Sequence, residues 1–283
     1  MPPDDLVVAL GATRYRVERP WGRLPAGMAF GAVSQLAVDS KGHVYVFQRD
    51  DPPVIVLDPD GAYVRSFGAD LIADAHGIFI TRGDTVLLVD RDAHEIVACT
   101  PEGEPLFRLG RRHRPSLGAP FNHPTDIAQG PDGDLYVSDG YGNSTVHRFG
   151  PDGARKRTWG RPGRGPGEFT TPHAVWVDRR GRVLVADREN DRVQLFTADG
   201  DYLTEWRDFY HPMDIWEDAA SGMIYVTDQI PRLSMLSPDG RLVGRCRPVL
   251  FGAHGIGGDA DGNIYLAETA PMNRLTRLSP IAG

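Results

Sequence analysis

Six repeats of one strand pattern run through this 283-residue chain, and they constrain its fold more than any other feature. A repeat contains a strand such as LYVSD or VLVAD, then a strand such as TVHRF or RVQLF, a PDG or ADG turn, and a last strand ending near WG or EW. The repeats begin about 38 to 50 residues apart, which is the spacing of four-stranded propeller blades. Alternating apolar and polar residues in short runs are typical of β-strands. The sequence therefore predicts an all-β fold, a six-bladed β-propeller.

The two ends of the chain supply a way to close the ring. The sixth repeat stops soon after its third strand, NRLTRLS, and so lacks a fourth strand of its own. The segment Arg14 to Gly22, RYRVERPWG, resembles the fourth-strand segment ARKRTWG of the third repeat. We expect this N-terminal strand to complete the last blade, which leaves no open sheet edge. Because each blade packs on its neighbours, residues 1–283 are predicted to form a single propeller domain.

Composition excludes several classes of function. The formal net charge is −7 and there is no long basic run, which disfavours a nucleic-acid partner. The N-terminal segment MPPDDLVVALGA lacks the basic and apolar regions of a signal peptide, and no stretch is long enough to span a membrane. Only Cys99 and Cys246 are present, in different repeats, so a disulfide framework is not expected. These features predict a cytoplasmic protein, which we also expect to be a monomer.

Three histidines occupy the same register in alternate repeats. Counting eight residues from His173 or His254 ends on the turn glycine before the next strand, and the same count from His76 ends on Asp84. In repeat order, the six residues of this register are Ser34, His76, Thr125, His173, Met213 and His254. In a closed propeller, alternate blades are about 120° apart, so the three imidazoles point at one spot on the axis. Three histidines with an open position suit zinc or another divalent transition metal.

The third and fourth repeats carry a more specific resemblance. The segments FNHPTDIA, VSDGYGNS and VADRENDRVQLF, together with TPH at His173 and AHG at His76, resemble peptidyl-α-hydroxyglycine α-amidating lyases, which are propellers of the NHL-repeat type. The resemblance runs from Gly31 to the strand after His254, and it is densest between Phe121 and Trp206.

The resemblance implies an activity and a set of site residues. The family cleaves a carbinolamide at its carbon–nitrogen bond, which releases an amide and glyoxylate. Its three zinc-binding histidines fall on His76, His173 and His254. Its catalytic base, a tyrosine in the DGY segment, falls on Tyr141, and the two arginines that flank the substrate fall on Arg49 and Arg188.

The chain departs from the family at one metal position. The family binds a structural calcium through an aspartate directly after the third zinc histidine, whereas this chain has Gly255 there. That departure puts a structural Ca²⁺ in doubt. The disulfide cysteines of the family are also missing, with Gly142 in the DGY loop, which fits a reducing compartment.

Other polar residues near this register have weaker assignments. His123 and His211 lie two residues before it, each in an HP pair, and we predict that they contact the substrate together with Met213. A structural role is predicted for an aspartate that ends the same strand in four repeats, at Asp90, Asp139, Asp187 and Asp228. We expect the remaining histidines to be solvated, namely His43, His94, His113 and His147.

Other classes of function remain open from the sequence. A non-catalytic NHL-repeat scaffold would bind a protein or RNA on one face, but it has no need for a histidine triad in the channel. Propeller lactonases use calcium held by oxygen ligands, whereas streptogramin lyases share the fold and perform carbon–oxygen elimination. Within the lyase reading, a peptide C-terminus, a small N-acyl-α-hydroxyglycine or a ureidoglycolate-like compound would all use the same chemistry.

Overall fold

The strands form six sheets around a central axis in the computed structural model, which describes residues 6–281. The N-terminal strands are β1 (Val7–Leu10) and β2 (Thr13–Trp21). The first three blades contain β3 (Val33–Val38), β4 (Val44–Gln48), β5 (Val54–Leu57) and β6 (Tyr63–Phe67); β7 (Ala75–Ile80), β8 (Val86–Asp90), β9 (Glu95–Cys99) and β10 (Pro105–Gly110); and β11 (Asp126–Gln129), β12 (Leu135–Asp139), β13 (Thr145–Phe149) and β14 (Arg155–Trp159).

The last three blades continue the same antiparallel order. They contain β15 (Pro172–Val177), β16 (Val183–Asp187), β17 (Arg192–Phe196) and β18 (Tyr202–Trp206); β19 (Pro212–Glu217), β20 (Ile224–Asp228), β21 (Leu233–Leu236) and β22 (Leu242–Cys246); and β23 (Gly255–Gly258), β24 (Ile264–Glu268) and β25 (Arg274–Pro280). Within residues 6–281, helix is limited to one 3₁₀ turn, Arg188–Asn190, and no helix there is long and apolar enough to cross a membrane. The predicted six-bladed β-propeller is confirmed.

The N-terminal segment closes the ring as predicted. Strand β2 pairs antiparallel with β25, with Val17 opposite Leu278, and this completes the sixth blade. Strand β1 then adds a fifth strand outside β2, which the repeat pattern did not predict. The close approach of β1 to the fifth blade depends on Gly244, where an added Cβ would lie 2.2 Å from the backbone nitrogen of Gly11.

The hydrophobic core is a ring of six clusters, each formed between two neighbouring blades. The second strand of every blade is buried along its whole length, whereas the outermost strands, such as β14, are largely exposed. One cluster joins Tyr45 and Phe47 of the first blade to Ile78 and Val86 of the second. Because every blade buries its faces against two neighbours, the innermost strands hold fixed positions around the axis.

The aspartates that end the second strands have the structural role predicted for them. All four are fully buried. Asp139 accepts a hydrogen bond from the backbone N–H of Asn122 at 2.9 Å, and Asp187 accepts one from Thr170 at 2.7 Å. Each carboxylate thereby fixes the loop that leads into the innermost strand of its own blade.

Candidate metal centre

Three histidine side chains meet on the axis of the propeller. His76 and His173 lie on the innermost strands β7 and β15, and His254 directly precedes β23. All three are buried, their ring centroids are 4.9 to 5.1 Å apart, and one nitrogen from each lies within 4.8 Å of the other two. The register in alternate repeats therefore brings together the three side chains that the sequence analysis selected.

Each of these rings is oriented by a backbone carbonyl of the following blade. His76 Nδ1 donates to Thr125 O at 2.6 Å, and His173 Nδ1 donates to Met213 O at 2.7 Å. His254 Nδ1 donates to Ser34 O at 2.8 Å. A carbonyl oxygen only accepts hydrogen bonds, so Nδ1 carries the hydrogen and Nε2 keeps its lone pair. In each case one blade supplies the imidazole and the next blade supplies its acceptor.

The protein keeps the three imidazoles uncharged. Burial lowers the pKa of His76 and His173 well below the usual value, and the neighbouring histidines lower both further. Burial and then Arg49 lower the pKa of His254 to about 3. His173 Nε2 is buried without any hydrogen-bond partner. Three neutral imidazoles with Nε2 directed to one point, and with each Nδ1 held by a backbone carbonyl, fit a divalent transition metal with an open coordination position.

Tyr141 lies in the loop after β12, at the edge of the histidine cluster. Its hydroxyl is 3.0 Å from His76 Nε2. Arg188, which follows β16, donates a hydrogen bond from a terminal nitrogen to the same hydroxyl at 3.3 Å. Tyr141 is 38% exposed, so it borders both the cluster and the open end of the channel. Tyr141 and Arg188, from different blades, therefore lie together beside the histidine cluster, and their roles stay predictions.

Arg49 follows β4 and lies beside the segment that carries the first histidine. Its Nε donates to the backbone oxygen of Ala75 at 3.1 Å, one residue before His76. Asp74 Oδ1 lies 3.8 Å from the same nitrogen. Asp74 is largely buried, and burial raises the pKa of its carboxyl while Arg49 and Arg91 oppose that rise.

The two other predicted histidines have protein partners of their own. His123 pairs its Nδ1 with Asn122 at 2.8 Å, and its ring packs on His94 with centroids 4.3 Å apart. His211 pairs its Nδ1 with Asp191 at 2.8 Å and stacks on Tyr210. Contact of either with a substrate stays a prediction.

Met213 has a different place from these two histidines. Its carbonyl accepts the hydrogen bond of His173, and the residue lines the small space beside the histidine cluster. Contact of the Met213 side chain with a substrate also stays a prediction.

The expectation that four histidines are solvated is wrong for two of them. His94 is buried against His123. His147 is completely buried on β13, between Asp139 at 3.1 Å and Thr158 at 2.8 Å. The buried carboxylate at the end of β12 needs a partner, and β13 supplies the imidazole from across the sheet.

A second polar cluster, which the sequence analysis did not identify, lies directly beyond the histidines. Gln35, Asp126 and Asp214 each follow a residue of the histidine register, in the first, third and fifth blades. Asp214 Oδ2 accepts hydrogen bonds from Gln35 Nε2 and from the backbone of Ile256, both at 2.9 Å. Burial raises the pKa of Asp126 well above its usual value and that of Asp214 to about 7.

The position of Gly255 does not fit the calcium ligand that the resemblance implies. An added Cβ there would lie 2.7 Å from Gln35 Cα and 3.0 Å from the backbone oxygen of Ser34. The first blade therefore occupies the space that a side chain would need. We assign no calcium ligand to this position.

Comparison with known proteins finds similarity to α-amidating enzymes and to an NHL repeat-containing protein. A family model described as "NHL repeat" matches residues 121–149. The peptidylglycine alpha-amidating monooxygenase of Rattus norvegicus is 29% identical over 84% of this chain, and the match spans 29% of that protein. NHL repeat-containing protein 3 of Mus musculus is 30% identical over 83% of this chain and 75% of its own length. Peptidyl-alpha-hydroxyglycine alpha-amidating lyase 1 of Drosophila melanogaster is 24% identical over 91% of this chain and 58% of its own length.

Solved structures agree on the fold. A gluconolactonase from Xanthomonas campestris superposes with a TM-score of 0.74 at 14% identity, covering 94% of this chain and 90% of its own. Virginiamycin B lyase from Staphylococcus aureus superposes with a TM-score of 0.66 at 17% identity, covering 95% of this chain and 89% of its own. At such identities the likeness concerns the propeller alone.

Proposed function

Because this chain belongs to the NHL-repeat propeller family and is similar to its α-amidating lyases, we propose that it is a metal-dependent lyase of a carbinolamide. The substrate is of the α-hydroxyglycine type, and cleavage of its carbon–nitrogen bond gives an amide and glyoxylate. The observation that carries the proposal is the Tyr141 hydroxyl, which lies 3.0 Å from one of three neutral imidazoles that converge on the axis.

His76, His173 and His254 would hold the metal through Nε2. A divalent ion bound there, with zinc as the first choice for three histidine ligands, would supply a Lewis acid that lowers the pKa of the substrate hydroxyl. The carbonyl partners of Nδ1 keep each ring in the tautomer that such binding requires.

Tyr141 acts as the general base in this proposal. The substrate hydroxyl gives its proton to the Tyr141 oxygen, a carbonyl forms at that carbon, and the bond to nitrogen breaks with its electron pair leaving on nitrogen. Tyr141 then passes this proton to the nitrogen, which completes the amide and restores the base. Arg188 holds the Tyr141 oxygen by its hydrogen bond of 3.3 Å and so fixes where the proton is taken up.

Arg49 binds the carboxylate next to the carbinol carbon. Its Nε is held by Ala75 O, and among the described residues no hydrogen bond engages its two terminal nitrogens. A guanidinium anchored in this way presents a planar pair of donors that matches a carboxylate. Because Arg49 is held next to His76, a carboxylate bound to Arg49 lies close to the carbon that reacts at the histidine cluster.

The direct test is turnover of α-hydroxyhippurate by the purified, metal-replete protein. We expect benzamide and glyoxylate in equal amounts, with activity lost on treatment with a chelator and restored by zinc. Absence of turnover with this compound and with shorter N-acyl-α-hydroxyglycines would reject the lyase proposal. Lactone hydrolysis is the second candidate because of the gluconolactonase fold, and a δ-lactone in the same assay series tests it.

We also make a proposal about location and assembly. Cys99 and Cys246 are both free, which agrees with the reducing, cytoplasmic compartment that we propose. We also propose a monomer. Cell fractionation and light scattering are the corresponding measurements.

A further inference from the structure

Three arginines occupy one register at the end of the propeller where Tyr141 lies. Arg49, Arg91 and Arg188 are each the first residue after the buried second strand of their blade. The other three blades have Gly140, Gln229 and Thr269 in that position. The proposed function uses Arg49 and Arg188, whereas Arg91 has no role in it.

The three guanidinium groups are held in the same way. Arg49 Nε donates to Ala75 O at 3.1 Å, Arg91 Nε donates to Asp92 at 2.9 Å, and Arg188 Nε donates to Glu189 at 2.8 Å. Among residues 6–281, the hydrogen bond of Arg188 to Tyr141 is the only one made by their terminal nitrogens. Each side chain is therefore fixed at Nε, and its terminal nitrogens keep donors available for a ligand.

Arg91 lies at the same site as the other two. Its guanidinium carbon is 5.6 Å from the centroid of the Tyr141 ring, and that of Arg188 is 5.4 Å away. Asp74 links Arg91 to Arg49, because its Oδ2 lies 3.0 Å from Arg91 Nε and its Oδ1 lies 3.8 Å from Arg49 Nε. One carboxylate thus holds two guanidinium groups side by side.

The two carboxylates that touch this pair, Asp74 and Asp92, both lie at Nε and not at the terminal nitrogens. Asp74 supplies one negative charge for two arginines, and it is the only largely buried carboxylate among the described residues that touches either of them. Asp92 is half exposed, so solvent screens its interaction with Arg91. A single substrate carboxylate has two oxygens and matches one bidentate guanidinium, which is Arg49 in the proposed function.

We propose that Arg91 binds a second acid group and that the substrate is therefore a dicarboxylate carbinolamide. One carboxylate adjoins the carbinol carbon and pairs with Arg49. The other lies on the acyl side of the amide and pairs with the terminal nitrogens of Arg91. This inference specifies the substrate class of the proposed lyase and rests on that function for the reaction, but its anion-binding part is testable without turnover.

Binding of two stable α-hydroxy acids tests the second anion site. 2-Hydroxyglutarate and 2-hydroxyvalerate differ in whether the fifth carbon is a carboxylate or a methyl group. Calorimetry on the metal-replete wild type should give at least about tenfold tighter binding for the diacid, the effect of one charge-assisted interaction. Arg91→Gln should reduce that ratio to about one, and Arg91→Lys should restore part of it.

Arg82→Gln is the matched control. Arg82 belongs to the same blade but lies in the β7–β8 turn, at the opposite end of the propeller, and it carries the same charge. Its variant should keep the full preference for the diacid. The proposal is overturned if the wild type binds neither acid, if it binds both equally, or if Arg91→Gln keeps the preference. Thermal melts of each variant check that it is folded.

A turnover experiment separates this inference from the proposed function. N-succinyl-α-hydroxyglycine and N-butyryl-α-hydroxyglycine form the matched pair of substrates. A higher kcat/KM for the succinyl compound that disappears in Arg91→Gln supports both proposals. Equal turnover of the two keeps the lyase and rejects the role of Arg91. No turnover of either, with an Arg91-dependent diacid preference in calorimetry, rejects the lyase and keeps the anion site.

Discussion

The channel contains two polar clusters, one residue apart in register. They differ in whether their polar atoms have hydrogen-bond partners within the protein. In the histidine cluster every Nδ1 is bound to a carbonyl, whereas the three Nε2 atoms face the axis, with only the Tyr141 hydroxyl close to one of them. In the cluster of Gln35, Asp126 and Asp214, backbone N–H groups and the amide of Gln35 bind the oxygens, and Asp126 Oδ1 alone lacks a partner.

We interpret this difference as that between a proposed ligand site and a structural crosslink. A buried polar atom without a partner costs stability unless something binds it, so we propose that the histidine cluster, in which His173 Nε2 has no partner, binds a ligand. The Gln35 cluster instead ties the first, third and fifth blades to the backbone of the blades between them. Ile78, Val175 and Ile256, which all donate N–H groups to it, belong to the second, fourth and sixth blades.

The largest expected effect is loss of metal from the histidine cluster. We expect the purified wild type to carry about one transition-metal ion per chain, and His76→Ala, His173→Ala and His254→Ala to fall close to zero, because two imidazoles and water make a much weaker site. Elemental analysis of the four proteins measures this. His123→Ala is the control and should keep its metal. Full metal retention in all three variants would show that the histidine cluster does not bind the metal and would contradict its distinction from the Gln35 cluster.

The second expected effect concerns catalysis at the edge of the histidine cluster. Tyr141→Phe should lower kcat for α-hydroxyhippurate at least about 10²-fold, the usual loss for a general base, without changing the metal content. Tyr202→Phe, on the exposed strand β18, is the control and should be fully active. If Tyr141→Phe is also fully active, the base is another residue, and His123 and His211 are next to be replaced.

A smaller effect is expected from the Gln35 cluster, and it should concern stability. Gln35→Leu removes the donor to Asp214 and the acceptor for the backbone of Ile78, so we expect a loss of about 1–3 kcal/mol in the free energy of unfolding. Thermal melts should shift by several degrees, while elemental analysis shows the metal unchanged. Loss of metal together with stability would mean that the two clusters act as one.

The smallest expected effect is that of calcium removal on the melting temperature. Gly255 offers no carboxylate, and its surroundings leave no space for one, so melting temperatures in calcium and in a calcium-selective chelator should coincide. A drop of several degrees in the chelator would show that other oxygens bind the ion. The unpaired Asp126 Oδ1 would then be the first ligand to test by substitution.

The sequence predicted the fold because its information is local and repeated. Each blade has its own strand pattern and turns, and the missing strand of the last blade matched a segment near Arg14, so both the architecture and its closure were confirmed. Convergence of His76, His173 and His254 followed from register alone. Strand β1 carries no repeat pattern; it pairs with β2 and packs close to the fifth blade.

The repeat pattern did not predict the contacts between blades. The carbonyl of Thr125 holds His76 from 49 residues away, and any residue type supplies a carbonyl, so the sequence gives no signal for it. Asp126 and Asp214 similarly look like ordinary polar residues until the ring brings them together. Arg91 is the exception, because its register with Arg49 and Arg188 is visible in the sequence.

The closing strand has a consequence for how the protein is made. His254 is oriented by Ser34 from 220 residues away, across the seam where the last blade meets the first. During synthesis, five blades emerge before the third histidine exists, so the proposed metal would find its full ligand set only after the ring has closed. A ligand that binds only the closed ring stabilises it by mass action. The bound ion would then stabilise the contact between the first and last blades, and the protein without metal should unfold there first.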